Sequence, residues 1–399
     1  MCHPADPTSH PHAHSHNHVA HDARSSRRDF LRTMSSALAG ASLLELAYHR
    51  AAWARAAAPA SDDALFTIQK VTGGIYFAHA HPQAMINCNA AIFVRSKDVV
   101  VVDAHSKPSA AASLIRHIER EVTPKPVRYV INTHFHWDHT LGNQAYRAAG
   151  QPVDFIASNT TKQLMSELSI ARLKASIDGI PAQVDKLRDR AARSSNPAEK
   201  AFCDEQIRQM QAYAVELRDF HLELPTITFD TSYLLPDPAF DLHVEFHGHS
   251  HTAGDVFVFC PQARAIATGD AIHGFLPNFG DGYPRPWPST IDSVAHADFR
   301  FQMGGHGPYQ TDRTVMTCQR NYIEELTSRV ADGKTAGLSL AEMQQRITVA
   351  SLRSLQSNGY QDFLIRTRDE SEPHFGPVAP LQDGVNANIR DVLANLDHV

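Results

Sequence analysis

The chain has 399 residues, with 37 Lys and Arg against 43 Asp and Glu and a net charge of −6. A chain of this length can bury a full core, as one enlarged α/β domain with insertions or as two domains. The charge balance leaves no basic stripe for a nucleic acid, which also argues against a phosphodiester substrate.

In chain order, residues 1–60 read as a leader. His3, His10, His12, His14, His16, His18 and His21 stand among Ser, Pro, Asn and Ala, a background that cannot build a core. Ser26-Arg27-Arg28-Asp29-Phe30-Leu31-Arg32 follows and resembles the twin-arginine export signal, with a mildly apolar segment from Thr33 to Ala47 and small residues at Ala56-Ala57-Ala58-Pro59-Ala60. The apolar segment is interrupted by Glu45 and is too short for a permanent bilayer span. The resemblance implies transfer by the twin-arginine export machinery, cleavage between Ala56 and Ser61, no stable membrane anchor afterwards, and a periplasmic destination. An amphipathic N-terminal helix packed on the domain is the alternative.

From Phe66 the pattern is strand-rich. Phe66-Thr67-Ile68, Ile75-Tyr76-Phe77, Ala90 to Val94 and Val99 to Val102 succeed one another, with Gly73-Gly74 as a turn. The four valines predict a strand buried on both faces. A helix over about Ser109 to Glu121 leads to the apolar run Val127 to Ile131, and directly after it stand His134-Phe135-His136-Trp137-Asp138-His139. Residues 160–222 predict a helical hairpin inserted into the domain. Leu164, Leu168, Leu173 and Ile177 suit one helix ended by Gly179, and Asn196-Pro197-Ala198-Glu199 opens a second as N-cap, first-turn proline and capping glutamate. Cys203, Ile207, Met210, Ala214 and Leu217 continue it at helical spacing, as a packing face or as a lid.

Strand signals return at Ile227 to Phe229, Val244 to Phe246, Val256 to Phe259 and Ala265 to Ala267. Between and after them lie Gly248-His249-Ser250-His251-Thr252-Ala253-Gly254-Asp255, Thr268-Gly269-Asp270 and Gly305-His306-Gly307-Pro308. Residues 321–399 read as a helical extension, with a capping-box start at Ser339-Leu340-Ala341-Glu342 and helical spacing from Val385 to Leu396. Cys88 and Cys260 sit in strand-like runs and read as small core residues, and no disulfide pair is selected among Cys88, Cys203, Cys260 and Cys318.

Four ligand-type side chains in six residues after a buried strand mark a metal site, because imidazole and carboxylate are donors that zinc accepts. The H-x-H-x-D-H spacing, followed in order by the His251, Asp270 and His306 turns, resembles the metallo-β-lactamase superfamily. That resemblance implies a four-layer αββα sandwich over residues 61–320. It also implies one zinc on His134, His136 and His251, a second on Asp138, His139 and His306, and Asp270 bridging both. Asp103, closing the valine strand, would support the metal loop, and His247 and His249 would stay outside the ligand set. The activity implied is hydrolysis of a small-molecule substrate at an ester, lactone, thioester or amide-type bond. Two zinc ions roughly 3.5–4 Å apart would lower a shared water's pKa from about 15.7 towards 7 and present hydroxide at neutral pH. Asp138 is the candidate catalytic residue, orienting the attacking group and receiving its proton.

Hydrolysis of β-lactams is the alternative within the class, although true metallo-β-lactamases typically carry cysteine or serine where Asp270 stands. A mononuclear iron dioxygenase of the same fold would need no second-metal histidine. A metal-storage protein would need no open coordination position. His79, His81, His105 and His273 read as core or surface histidines ahead of substrate contacts. Phe275, Phe279, Tyr283 and Trp287 form either a substrate wall or a buried aromatic staple.

Overall fold

Four strands rich in β-branched and aromatic residues follow one another from Phe66: β1 (Phe66–Thr72), β2 (Ile75–Ala80), β3 (Ala90–Val94) and β4 (Val99–Val102). They pair antiparallel in sequence. The computed structural model describes residues 65–81, 88–150, 152–369 and 380–398, so the leader histidines and Arg27-Arg28 lie outside the described residues. All four β4 valines are buried, as a strand covered on both faces requires. Helix α1 (Pro108–His117), prolonged by a wider turn over Ile118–Val122, crosses back to β5 (Val127–Ile131), which pairs parallel to β4. Short helices α2 (Trp137–Thr140) and α3 (Asn143–Ala148) precede β6 (Asp154–Ser158), and β7 (Ile227–Phe229) completes a seven-stranded sheet in the order β1 to β7.

The second sheet has five strands, β8 (Ser232–Leu235), β9 (Leu242–Glu245), β10 (Phe257–Cys260), β11 (Ala265–Gly269) and β12 (Phe301–Gly304), in the order β12-β11-β10-β9-β8. Alternation along the strands divides the apolar residues between an inner and an outer face. Inside, Phe77, Val100, Val102, Ile131 and Ile156 of one sheet meet Leu242, Val244, Val258 and Ala267 of the other. Outside the first sheet, Val99, Val101 and Phe155 pack on Ala111 and Leu114 of α1 and Tyr146 of α3. Outside the second, Phe257 and Ile266 pack on α6 (Trp287–Val294), α7 (Thr314–Thr335) and the helices beyond it, α8 (Leu340–Arg346), α9 (Arg353–Gln356), α10 (Tyr360–Asp369) and α11 (Pro380–Asn395). These are the four layers of the expected αββα sandwich.

Two helices fill residues 159–216, and their sequence expectations need correction. The first, α4, does not stop at Gly179 but runs from Asn159 to Arg193 with Pro181 inside it. An interior proline costs about 3 kcal/mol. Ile180, Val184 and Leu187 offset that cost by continuing the buried stripe of Leu173 against Phe202, Met210 and Tyr213 of α5 (Pro197–Glu216). Asn196 caps α5 by accepting from the Ala198 N–H, but Glu199 does not close a capping box: it binds Arg190 and Ser194, fastening the end of α4 to the start of α5. The Ser339–Glu342 capping box at α8 is present. The four described cysteines are buried and form no disulfide among the described residues. No helix among the described residues is long and apolar enough to cross a membrane.

Candidate metal centre

Each ligand-type residue sits in the connection leaving the C-terminal end of a strand: His134 and His136 on the loop after β5 with Asp138 and His139 on the short helix α2 that follows, His251 after β9, Asp270 after β11 and His306 after β12. The sandwich brings them together in two groups, His134, His136 and His251, and Asp138, His139, Asp270 and His306, with the donor atoms of each group within 4.8 Å of one another. In the first group His136 Nδ1 lies 3.1 Å from His134 Nε2 and 2.9 Å from His251 Nε2. In the second, Asp138 Oδ2 is 3.4 Å from His139 Nε2 and 3.3 Å from His306 Nε2. Asp270 reaches both groups, with Oδ2 3.1 Å from His306 Nε2 and 3.7 Å from His251 Nε2, and Oδ1 3.4 Å from His139 Nε2.

The far side of the first three rings decides their tautomers, since each outer nitrogen faces an acceptor. Thr133 Oγ1 gives its own hydrogen to Asp103 and so accepts from His134 Nδ1 at 3.0 Å. The Asp281 carboxylate accepts from His136 Nε2 at 2.8 Å, and the Asn278 carbonyl accepts from His251 Nδ1 at 3.0 Å. The inner nitrogens, His134 Nε2, His136 Nδ1 and His251 Nε2, therefore all present lone pairs to one another at separations where none can donate. That is a poor arrangement for three bases and a good one for three ligands of a cation. His139 obeys the same rule, giving Nδ1–H to Asp103 at 2.8 Å. His139 Nε2 and Asp270 Oδ1 are buried without a hydrogen-bond partner. The residues thus fit a metal at both groups.

Electrostatics separates the groups. Burial holds His134 well below the usual imidazole range and lowers His251 to about 4, so both stay neutral. In the second group burial would push Asp138 and Asp270 up, but His139 and His306 outweigh it and hold both carboxyls well below their usual range. Reciprocally, burial opposes the charged form of His306, yet Asp270 and Asp138 lift it to about 10. The carboxylates draw positive charge into this group, as a second cation would require.

The surrounding backbone is shaped to the site. Gly269 has φ 50°, and a Cβ there would lie 2.4 Å from Thr133 Oγ1. Gly305 packs so closely that a Cβ would lie 2.2 Å from Asp270 Oδ1 and 2.7 Å from His139 Cε1. Asn89 clamps the His306 turn, donating from Nδ2 to the Gly304 and Gly307 carbonyls while its backbone N–H reaches Gly305 O. Asp255 secures the His251 turn by accepting from Ser250 Oγ, Thr252 N and Thr252 Oγ1.

Other candidates fall elsewhere. His247 bonds Ser293 and Glu245, and His249 packs on Tyr283. His79 stacks on Phe77, His81 bonds Thr67, and His105 bonds the Cys88 carbonyl. His273 accepts the Phe275 N–H and packs edge-on against His306. The aromatic group divides: Phe279 and Trp287 are fully buried and form a staple, whereas half-buried Phe275 stacks on His306 at the site's rim. Asp103 lies where the resemblance placed it. Sequence reasoning missed Thr133, Asn278, Asp281 and Arg172, because a lone polar residue in a glycine-rich loop or on a helix carries no spacing signal.

A family model described as the metallo-β-lactamase superfamily matches residues 85–298, more than half of the chain. The chain belongs to the metallo-β-lactamase superfamily. Members are usually hydrolases. His306 lies beyond the matched residues, and it is the fold that brings it to the second group of this superfamily member. Among solved structures, metallo-β-lactamases from Pontibacter korlensis, Hirschia baltica and Erythrobacter litoralis align at 18%, 17% and 15% identity. Each alignment covers 65% of this chain, and 99%, 97% and 97% of those chains, at TM-scores of 0.47, 0.45 and 0.46.

Proposed function

We propose that this superfamily member is an exported dinuclear zinc hydrolase that cleaves an ester, lactone, thioester or amide-type bond of a small molecule. The observation that carries the proposal is the convergence of three imidazole lone pairs, from His134, His136 and His251, beside a second donor group that shares Asp270 with the first. His134, His136 and His251 would hold one zinc, Asp138, His139 and His306 the other, and Asp270 both. A zinc pair bound there supplies Lewis acidity, bringing a water's pKa towards neutrality and offsetting charge on the bond being cleaved. Asp138, an anion beside His139 and His306, is placed to accept a hydrogen from the attacking water, to orient it and to take its proton. Phe275, half-buried against His306, offers the substrate an apolar wall. The carboxylate of Asp270 supports esters, lactones or thioesters over β-lactams, given the cysteine or serine typical of that position in true metallo-β-lactamases. Export rests on the Arg27-Arg28 signal and the small-residue stretch after it.

Elemental analysis of purified protein together with a panel of chromogenic lactone, aryl ester, thioester, β-lactam and bis-phosphodiester substrates tests the proposal. Two zinc per chain with turnover of an ester, lactone or thioester is the expected result. Turnover of β-lactams alone would move the substrate to the alternative class, and one iron with oxygen-dependent activity would replace the reaction by a dioxygenation. Bound metal without turnover of any substrate would leave a storage protein.

A further inference from the structure

Two segments far apart in the chain, the inserted helix α4 and the C-terminal helix α11, meet at one loop, residues 278–282, that touches the first metal group. Asp281 in this loop accepts from His136 Nε2 at 2.8 Å, and the Asn278 carbonyl accepts from His251 Nδ1 at 3.0 Å. One short loop thus sets the ring orientation of two of the three histidines. Arg172 of α4 grips the loop from one side through a two-pronged pair, Nη1 to Asp281 Oδ2 and Nη2 to Oδ1, both 2.7 Å. The same guanidinium lies 4.9 Å from the ring centre of Phe135, the residue between His134 and His136. From the other side Asn395 of α11 donates to the Phe279 carbonyl at 2.6 Å and the Gly280 carbonyl at 3.1 Å, and Arg285 reaches the Leu396 carbonyl at 2.9 Å.

A two-pronged arginine–carboxylate pair fixes the plane of the carboxylate as well as its place. Asp281 Oδ2, shared between Arg172 and His136, is therefore held where it selects the Nδ1 lone-pair tautomer of His136 and aims that ring inward. The second metal group is supported by other means, Asp103 beneath His139 and Asn89 around the His306 turn, and neither belongs to α4, α11 or this loop. We propose that Arg172 and Asp281 are positioning residues that set how tightly the His134, His136 and His251 group holds its metal, with Asn395 bracing the loop that carries Asp281. The insertion and the C-terminal helix then serve retention of one metal of the two, a task distinct from covering the substrate. This rests on the reading of the two groups as metal sites.

The test uses the intact protein, stripped of metal and titrated with zinc against a chromogenic chelator, and with cobalt while the visible absorption of the bound ion is followed. Wild-type protein must take up two ions per chain; if it takes up none at these groups, the metal-site reading itself fails. Given two ions, Asp281→Asn and Arg172→Met should weaken one site by about 10–100-fold and leave the other unchanged, the usual scale for partners that orient a metal ligand. Arg172→Lys keeps the charge but loses the second prong and should fall between Arg172→Met and wild type. Asn395→Ala should weaken the same site less. Circular dichroism identifies a variant that fails to fold, and Arg172→Met, which keeps an apolar stem beside Phe135, stands in for it. Unchanged zinc affinity in folded Arg172→Met, or equal weakening of both sites, would overturn the proposal while leaving the metal sites intact.

Discussion

Asp103 Oδ2 accepts the Nδ1–H of His139 at 2.8 Å, while Oδ1 of the same carboxylate accepts the Thr133 N–H at 2.9 Å. One side chain at the end of β4 thus fixes a ring of the second metal group and the backbone at the start of the metal loop after β5. Asp103 holds φ 70°, a conformation that asparagine also tolerates. Asp103→Asn should therefore fold, yet it turns an amide N–H₂ towards one of these donors. The expected outcome is a second-site zinc affinity lower by about 10–100-fold, measured by competition with a chelator, with the first site, which Asp103 reaches only through Thr133 and His134, weakened less.

Gly305 gives a steric test of the same group. A Cβ at this position meets Asp270 Oδ1 at 2.2 Å and His139 Cε1 at 2.7 Å, and both side chains are buried. Gly305→Ala should reduce bound metal from two ions to one. Gly73→Ala, where nothing lies within 4 Å of the added carbon, is the control and should keep both.

Asp270 spans the two groups, and its Oδ1 is buried without a hydrogen-bond donor. Asp270→Asn reduces the anionic character of that bridge, so the second ion should weaken more than the first, which keeps three histidines. Ester or lactone turnover should fall by at least about a hundredfold, the scale on which loss of a key electrostatic group acts. Zinc titration of the variant with turnover followed in parallel supplies the measurement. Retention of both ions and of full rate would show that another group bridges them.

His105 makes metal-free protein sensitive to acid. Its ring is fully buried, its Nδ1–H is given to the Cys88 carbonyl at 2.8 Å, and burial lowers its pKa to about 3. Below about 6.5 the unfolded chain takes up a proton that the folded chain refuses until about 3. The stability this neutral ring contributes is thus present above about 6.5 and is lost as pH falls, by about 1.4 kcal/mol per unit between about 6 and 4. Asparagine tolerates the φ of 66° at this position and can donate to the same carbonyl. Unfolding free energies of His105→Asn, from urea titrations over that range, should depend on pH with a slope flatter by about this amount than wild type.

The leader makes a separate prediction. Replacing both arginines, Arg27→Lys with Arg28→Lys, should leave the chain in the cytoplasm at full precursor length. Cell fractionation with mass measurement decides the matter, and normal periplasmic delivery of the double variant would show that Arg27 and Arg28 do not direct export.

The cluster from His134 to His139 was marked by its composition directly after an apolar run, whereas His251, Asp270 and His306 were named through the resemblance to the superfamily, since neither His247 nor His249 differs from His251 in local pattern. The valine strand was likewise legible from composition, four β-branched residues in succession. The strands β6, β8 and β12 were not, since Asp154, Ser232 and Gln302 interrupt runs whose pairing is decided by neighbouring strands far along the chain. The length of α4 was hidden by Gly179 and Pro181, whose local cost is outweighed by contacts with α5 that no local pattern reports. Arg172 and Asp281 stand 109 residues apart, and their pairing exists only once the insertion has folded over the loop.

The Asn395 brace also bears on the order of assembly. Its amide reaches Phe279 across 116 residues of chain, so the contact cannot form until residue 395 has been synthesised. A nascent chain can align its strands and gather all seven donor residues before residue 395 has left the ribosome. The loop behind His136 and His251 would then still lack one fastening, and the histidine trio should ripen as a binding site only once residue 395 has emerged. Stalled chains ending short of Asn395 should accordingly fold their sheets yet lose zinc from that trio faster than chains in which Asn395 has emerged.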